Sequence, residues 1–199
     1  MRVPKELLYV RLLRYTGGLM LLLSLALAAC DDATGLRVDP VMTTDTISLA
    51  APTTAITGTP TALDIVALNG VMGGGRHPER AADAGQWDFV VRVRTGDVVL
   101  LPSGALGLDA RAQITRALEG RTFDELARAP ERAAFLTDSA VVMREGSVYA
   151  ARSRPFGGAF GSCFQYSKLQ PLEVDVVAGT IRLQVSTNER CGDNRLVPR

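Results

Sequence analysis

Residues 172–186, Leu-Glu-Val-Asp-Val-Val-Ala-Gly-Thr-Ile-Arg-Leu-Gln-Val-Ser, set the fold class. Leu172, Val174 and Val176 alternate with Glu173 and Asp175, a turn falls near Ala178-Gly179, and Ile181, Leu183 and Val185 alternate with Arg182, Gln184 and Ser186. Side chains on a strand point to opposite faces in turn, so a period of two on both sides of a glycine turn reads as a half-buried β-hairpin. The pattern recurs upstream. Phe89, Val91 and Val93 alternate with Val90, Arg92 and Arg94, Thr95-Gly96-Asp97 turns the chain, and Val98–Leu101 returns it. Ala140–Met143, a turn at Glu145-Gly146 and Val148–Ala151 read as a third hairpin, and Ala62–Ala67 as a further strand.

Helix signals are few. Thr122-Phe123-Asp124-Glu125 fits a capping box, and Pro130 limits the helix it would open to about two turns. Residues 110–118 favour helix by composition but are short. The expectation is a mainly β protein, an antiparallel sandwich or barrel-like domain with one or two short helices.

The start of the chain has a different character. Arg2, Lys5, Arg11 and Arg14 precede the apolar run Leu19–Ala29, whose only polar member is Ser24. A basic start, an apolar stretch too short for a span and small residues before a cut site form the pattern of a secretory signal peptide. Leu27-Ala28-Ala29-Cys30 then resembles the lipobox of bacterial lipoproteins, a leucine and two small residues before the modified cysteine. The resemblance implies that residues 1–29 are removed and that Cys30 carries a diacylglycerol, anchoring the protein to a membrane without spanning it. Asp31 and Asp32 resemble the inner-membrane retention signal of enterobacterial lipoproteins, but they equally suit the acidic start of a linker, so the choice between inner and outer membrane stays open. Beyond the lipobox the chain resembles only the broad class of envelope lipoproteins.

Loss of residues 1–29 would reduce Lys+Arg from 22 to 18 and Asp+Glu from 21 to 20, turning a formal charge of +1 into −2. Lys168 is the only lysine left. A mildly acidic chain does not bind polyanions by bulk electrostatics, which argues against a nucleic-acid partner. The expected partners are the membrane, through the lipid, and an envelope ligand or protein. Residues 30–60 are rich in Thr, Ala and Pro and read as a tether, with Ile47 and Leu49 alternating with Thr46 and Ser48 so that 45–50 is an alternative edge strand. The globular domain is expected over 61–199.

Cys163 and Cys191 remain an even pair once Cys30 is lipidated, and export makes an oxidising compartment available. Closing a loop of roughly 29 residues stabilises by about 3–4 kcal/mol in the chain-entropy description. No metal site is expected, since two thiols and the single imidazole of His77 fall short of four ligands. No cofactor is expected either.

No catalytic residue is assigned from sequence. Gly73-Gly74-Gly75-Arg76-His77-Pro78 lacks the ending of a phosphate-binding loop and reads as a turn, with His77 a loop side chain. Trp87 and Phe89 read as core, and Gly157-Gly158-Ala159-Phe160-Gly161 as a mobile loop. Arg92, Arg94 and Arg182 would form an anion-recognising surface if their strands were neighbours; otherwise they are solvated arginines paired to Glu173 or Asp175. Two function classes follow: a tethered, non-enzymatic β-domain that binds a ligand or partner, or a small envelope hydrolase using carboxylates brought together by folding, of which Asp88 and Asp97 are one arbitrary pairing.

Overall fold

The computed structural model describes residues 38–53, 58–70, 73–109, 112–158 and 161–198. Residues 1–29, which read as a signal peptide, and Cys30 lie outside them. A compact unit spans Asp39–Arg199. Its strands are β1 (Met42–Ala50), β2 (Ala62–Leu63), β3 (Gly75–Arg76), β4 (Phe89–Arg94), β5 (Asp97–Pro102), β6 (Gln113–Thr115) and β7 (Phe135–Leu136). They continue with β8 (Val141–Val142), β9 (Tyr149–Arg152), β10 (Phe156–Gly158), β11 (Gly161–Cys163), β12 (Tyr166–Asp175) and β13 (Thr180–Asn188).

Among the described residues these strands make a six-stranded sheet in the order β1-β13-β12-β9-β6-β7, a five-stranded sheet in the order β3-β2-β4-β5-β8, and the small pair β10-β11. Their pairings are antiparallel. Both large sheets are open, so the fold is a sandwich and not a closed barrel. Ile47, Leu49, Leu169, Leu183 and Val185 from the first sheet meet Leu63, Phe89, Val91, Val98 and Leu100 from the second in one core.

Each sheet is also covered on part of its outer face. Ala62, Trp87, Val90, Val99 and Leu101 form a second apolar layer on the five-stranded sheet. That layer explains why Val98–Leu101 is apolar without alternation: a strand buried on both faces needs no polar positions. The hairpin therefore exposes only its far end, around Arg94 and Asp97. On the six-stranded sheet, Phe123, Leu126, Ala129 and Leu196 pack over Val148 and Ala150.

The turn between β4 and β5 is two residues long, with Arg94 paired to Asp97 and both Thr95 (φ 53°) and Gly96 (φ 82°) left-handed. This is the twist that a tight hairpin requires. In β12 the register shifts between Pro171 and Glu173, so Leu172 is an extra residue and the inward set becomes Leu169, Pro171 and Val174. Pairing with β9 ends at Leu169, so the missing N–H of Pro171 breaks no ladder. The Pro171 carbonyl accepts the Gly146 N–H at 2.9 Å.

Two expectations need correction. Ala140–Met143 and Val148–Ala151 are not a hairpin: β8 pairs with β5 while β9 pairs with β12 and β6, so the turn at 144–147 carries the chain from one sheet to the other. The Tyr149 hydroxyl spans this step, donating to the Val142 carbonyl at 2.9 Å and accepting the Arg144 N–H at 3.0 Å. Among the described residues there is no α-helix, only 3-10 turns at Ile65–Ala67, Ala81–Asp83, Ser103–Leu106 and Arg132–Ala134. The capping box at Thr122–Glu125 forms its bonds, yet the chain leaves after one turn because Ala127 and Ala129 pair with Leu196 and Asn194 instead. Residues 113–115, inside the helix candidate, form β6. β1 (Met42–Ala50) contains the alternative edge strand at 45–50 and lies at the edge of the six-stranded sheet. Its nine residues pair along β13, and Ile47 and Leu49 are buried.

Candidate functional sites

The most concentrated chemistry is a buried ionic cluster. Asp64 follows β2 and Asp88 precedes β4, both in the five-stranded sheet, while Arg154 follows β9 of the six-stranded sheet. Arg154 Nη1 donates to Asp64 Oδ1 at 2.8 Å and lies 3.3 Å from Asp88 Oδ1. Arg76 Nε and Nη2 both reach Asp64 Oδ2 at 2.9 Å. Backbone donors complete the set: Ile65 N–H to Asp88 Oδ2 at 2.7 Å, Arg154 N–H to Asp88 Oδ1 at 2.6 Å, and Val66 N–H to Asp64 Oδ1 at 3.2 Å. Two carboxylates and two guanidiniums balance in charge, and every carboxylate oxygen has a donor. Burial pushes the Asp88 carboxyl up to about 6, against the downward pull of Arg154. The Arg154 guanidinium stays charged: burial opposes this, but the hydrogen bond to Asp64 and the two carboxylates outweigh it. The arrangement clamps one sheet to the other and leaves no carboxylate oxygen unpartnered for substrate.

Gly74 (φ 80°) makes this clamp compact. A Cβ there would come within 2.9 Å of the Asp64 carbonyl oxygen, whose own N–H bonds the Gly74 carbonyl at 2.7 Å. The triple glycine thus shapes an ordered turn that delivers Arg76 to Asp64. His77 is 3% exposed, and its Nδ1 lies 2.9 Å from Glu79 Oε1. Thr61 Oγ1 donates to Glu79 Oε2 at 3.0 Å. The hydroxyl therefore bonds the carboxylate and not the imidazole, the reverse of the nucleophile–base–acid order of a hydrolytic triad. Burial alone would raise the Glu79 carboxyl, but hydrogen bonds from its own backbone, His77 and Thr61 bring it below its ordinary value.

The second site is a cleft of about 630 Å³ between residues 117–130 and the C-terminal segment. That volume falls in the range of small-ligand sites. Leu118, Leu126, Pro130 and Val197 give it apolar walls, and Arg121, Arg128 and Arg195, together with Glu119 and Glu125, bring charges of both signs to it. The backbones of Arg128 and Arg195 pair antiparallel, which sets two like charges opposite each other. Such pairs are destabilising unless countered. Arg195 is countered by Asp193, with 2.7 Å between Nη2 and Oδ2, and this pairing lowers the Asp193 carboxyl to about 2. Among the described residues, the partner of the Arg128 side chain is the neutral Asn194 side chain, at 3.2 Å. Glu125, also on the cleft, is held below its ordinary value by hydrogen bonds from Thr122, so it remains an ionised acceptor.

The chain matches no known family, no curated protein and no solved structure.

Of the residues singled out from sequence, Cys163 and Cys191 stand together as a disulfide pair, Cα atoms 5.3 Å apart, joining β11 to the segment after β13. Arg92, Arg94 and Arg182 are not brought to one strand pair: β4 and β13 belong to different sheets. Arg182 meets Glu173 at 3.3 Å, Arg92 Nη1 bonds the Val91 carbonyl, and Arg94 is exposed beside the hairpin turn. Asp88 and Asp97 sit at opposite ends of the β4–β5 hairpin, and the partner folding gives Asp88 is Asp64 across Arg154. Trp87 and Phe89 are core. Gly157 lies in the β10–β11 pair, with residues 159–160 outside the described set. The signal for the clamp was present in sequence as acids set among apolar residues, Leu63-Asp64-Ile65 and Trp87-Asp88-Phe89.

Proposed function

We propose that the protein is a membrane-tethered envelope lipoprotein whose β-domain binds a ligand without transforming it. The Leu27-Ala28-Ala29-Cys30 motif supports the tether. The cleft carries the binding reading, and its opposed Arg128 and Arg195 favour a ligand with an acidic group next to an apolar part. Arginine suits this role because its planar fork pairs with a carboxylate or phosphate through two parallel bonds. The engagement of Asp64 and Asp88 within the clamp, and of Glu125 with Thr122, supports binding over acid–base chemistry, which needs a proton donor free to reach substrate.

Capture of envelope material by the protein and by the double variant Arg121→Glu/Arg128→Glu tests the cleft. Each charge-assisted bond is worth about 1.5–3 kcal/mol, so reversing both charges should weaken capture of an acidic ligand by tenfold or more. Equal recovery by both proteins would exclude the cleft as the binding site.

A further inference from the structure

A second, much smaller cavity lies where the ends of β1 and β13 meet the 65–69 turn of the other sheet. Its volume is about 10 Å³, and its polar lining is Thr43, Asn69, Gln165, Thr187 and Glu189. Gln165 is only 8% exposed. Its Nε2 donates to the Glu189 carbonyl at 3.1 Å, which fixes the amide orientation, and its Oε1 is left buried with no partner among the described residues. Across the cavity the Glu189 carboxylate accepts from Thr43 Oγ1 and, at 3.2 Å, from Asn69 Nδ2, both through Oε1. Thr187 Oγ1 is engaged with Ser167 Oγ at 2.7 Å. The walls between are Ile65, Val66 and Leu68.

The geometry points to a site for one ordered water molecule, held by Gln165 and Glu189 and joining the end of the six-stranded sheet to the 65–69 turn of the other. Three physical conditions converge. A buried amide oxygen without a partner has lost its hydration uncompensated, a penalty that a bridging water removes. The volume is that of the smallest cavity able to hold a single water, roughly 10–15 Å³, and a water there needs two to four polar partners. The lining supplies the right polarity, since water donates to Gln165 Oε1 and to the Glu189 carboxylate and accepts the second N–H of Asn69. With one carboxylate and few further oxygens, the lining falls short of the six to eight oxygen ligands of calcium. The covalent frame fits as well. Gln165 stands two residues after Cys163 and Glu189 two before Cys191, so the cysteine pair holds the two water ligands at a fixed separation.

The test is a high-resolution crystal structure of the full chain, combined with water-oxygen magnetic relaxation dispersion, which counts long-lived internal waters. A water peak within hydrogen-bond reach of both Gln165 Oε1 and Glu189 is expected. Gln165→Met, close in volume but lacking the acceptor, should remove one long-lived water, while Glu189→Gln should keep it because an amide oxygen still accepts. An unchanged count in Gln165→Met would overturn the site. So would a peak that refines as a metal ion, accompanied by a melting temperature that rises on titration with sodium or calcium. The crystal structure of the natural chain decides alone if the methionine variant does not fold.

Discussion

At the residue scale, two positions hold features that run against simple preference. Thr95 takes a left-handed φ of 53° although it is β-branched, because the two-residue turn demands that twist at both of its positions. Thr95→Asn keeps the turn and removes the penalty. It should raise stability by about 0.5–1 kcal/mol, a gain of a few degrees in Tm readable by thermal unfolding. Asp88 is the second. Its folded pKa of about 6 lies above the ordinary 3.8, so the native state holds that proton more tightly than the unfolded chain does. The contribution is fully present below about pH 4 and is lost as pH rises through 6, amounting to about 3 kcal/mol. Asp193, lowered to about 2, acts in the opposite direction and adds stability that disappears only as pH falls from 4 toward 2. Denaturant midpoints measured from pH 4 to 7 should therefore fall more steeply for the natural chain than for Asp88→Asn. Parallel curves would show that Asp88 does not titrate in this window.

At the element scale, legibility followed the reach of each interaction along the chain. The β4–β5 and β12–β13 hairpins are readable because period two and a glycine turn are local properties. The bulge at Leu172 is not, since it depends on where pairing with β9 ends. The step from β8 to β9 looks like another hairpin in sequence, and only the sheet each half joins shows otherwise. The segment 118–130 is the clearest case of a local signal overridden. Its capping box forms, but pairing of 127–129 with 194–196, together with Lys168, holds it as a cover over the sheet. Lys168 Nζ is buried, donates to the Phe123 carbonyl at 2.8 Å and lies 4.5 Å from the centre of the Phe123 ring. Burial depresses its pKa, although Asp124 opposes the effect. Lys168→Met should leave the Phe123 carbonyl without its donor, at a cost of about 1–3 kcal/mol. Amide hydrogen exchange should accelerate over 118–130, with little change in β12–β13; uniform acceleration would mean that the lysine supports the whole sandwich.

At the scale of the whole molecule, two open sheets share one core and are clamped by Asp64, Asp88, Arg76 and Arg154. The core was foreseeable from alternation. The clamp was not, because 66 residues separate Asp88 from Arg154 and no periodicity connects them. Asp64 and Asp88 stood out only as charges in apolar surroundings, with no indication that they would meet. The cleft was hidden for the same reason, being built from a turn near residue 120 and the last few residues of the chain. Replacing both Cys163 and Cys191 by serine should reduce stability by about 3–4 kcal/mol, seen as a lower denaturant midpoint, since this pair closes the site between β11 and the end of β13.

The proposed tether would decide where all of this operates: two acyl chains suffice for stable anchoring, so the cleft would work beside a bilayer. Intact mass spectrometry of the protein isolated from its own cells tests that most directly. The expected species is a chain that begins at Cys30 and carries the mass of a diacylglycerol, with or without a further acyl group. A chain that retains Met1, or one that begins near residue 30 without lipid, would contradict the proposed tether.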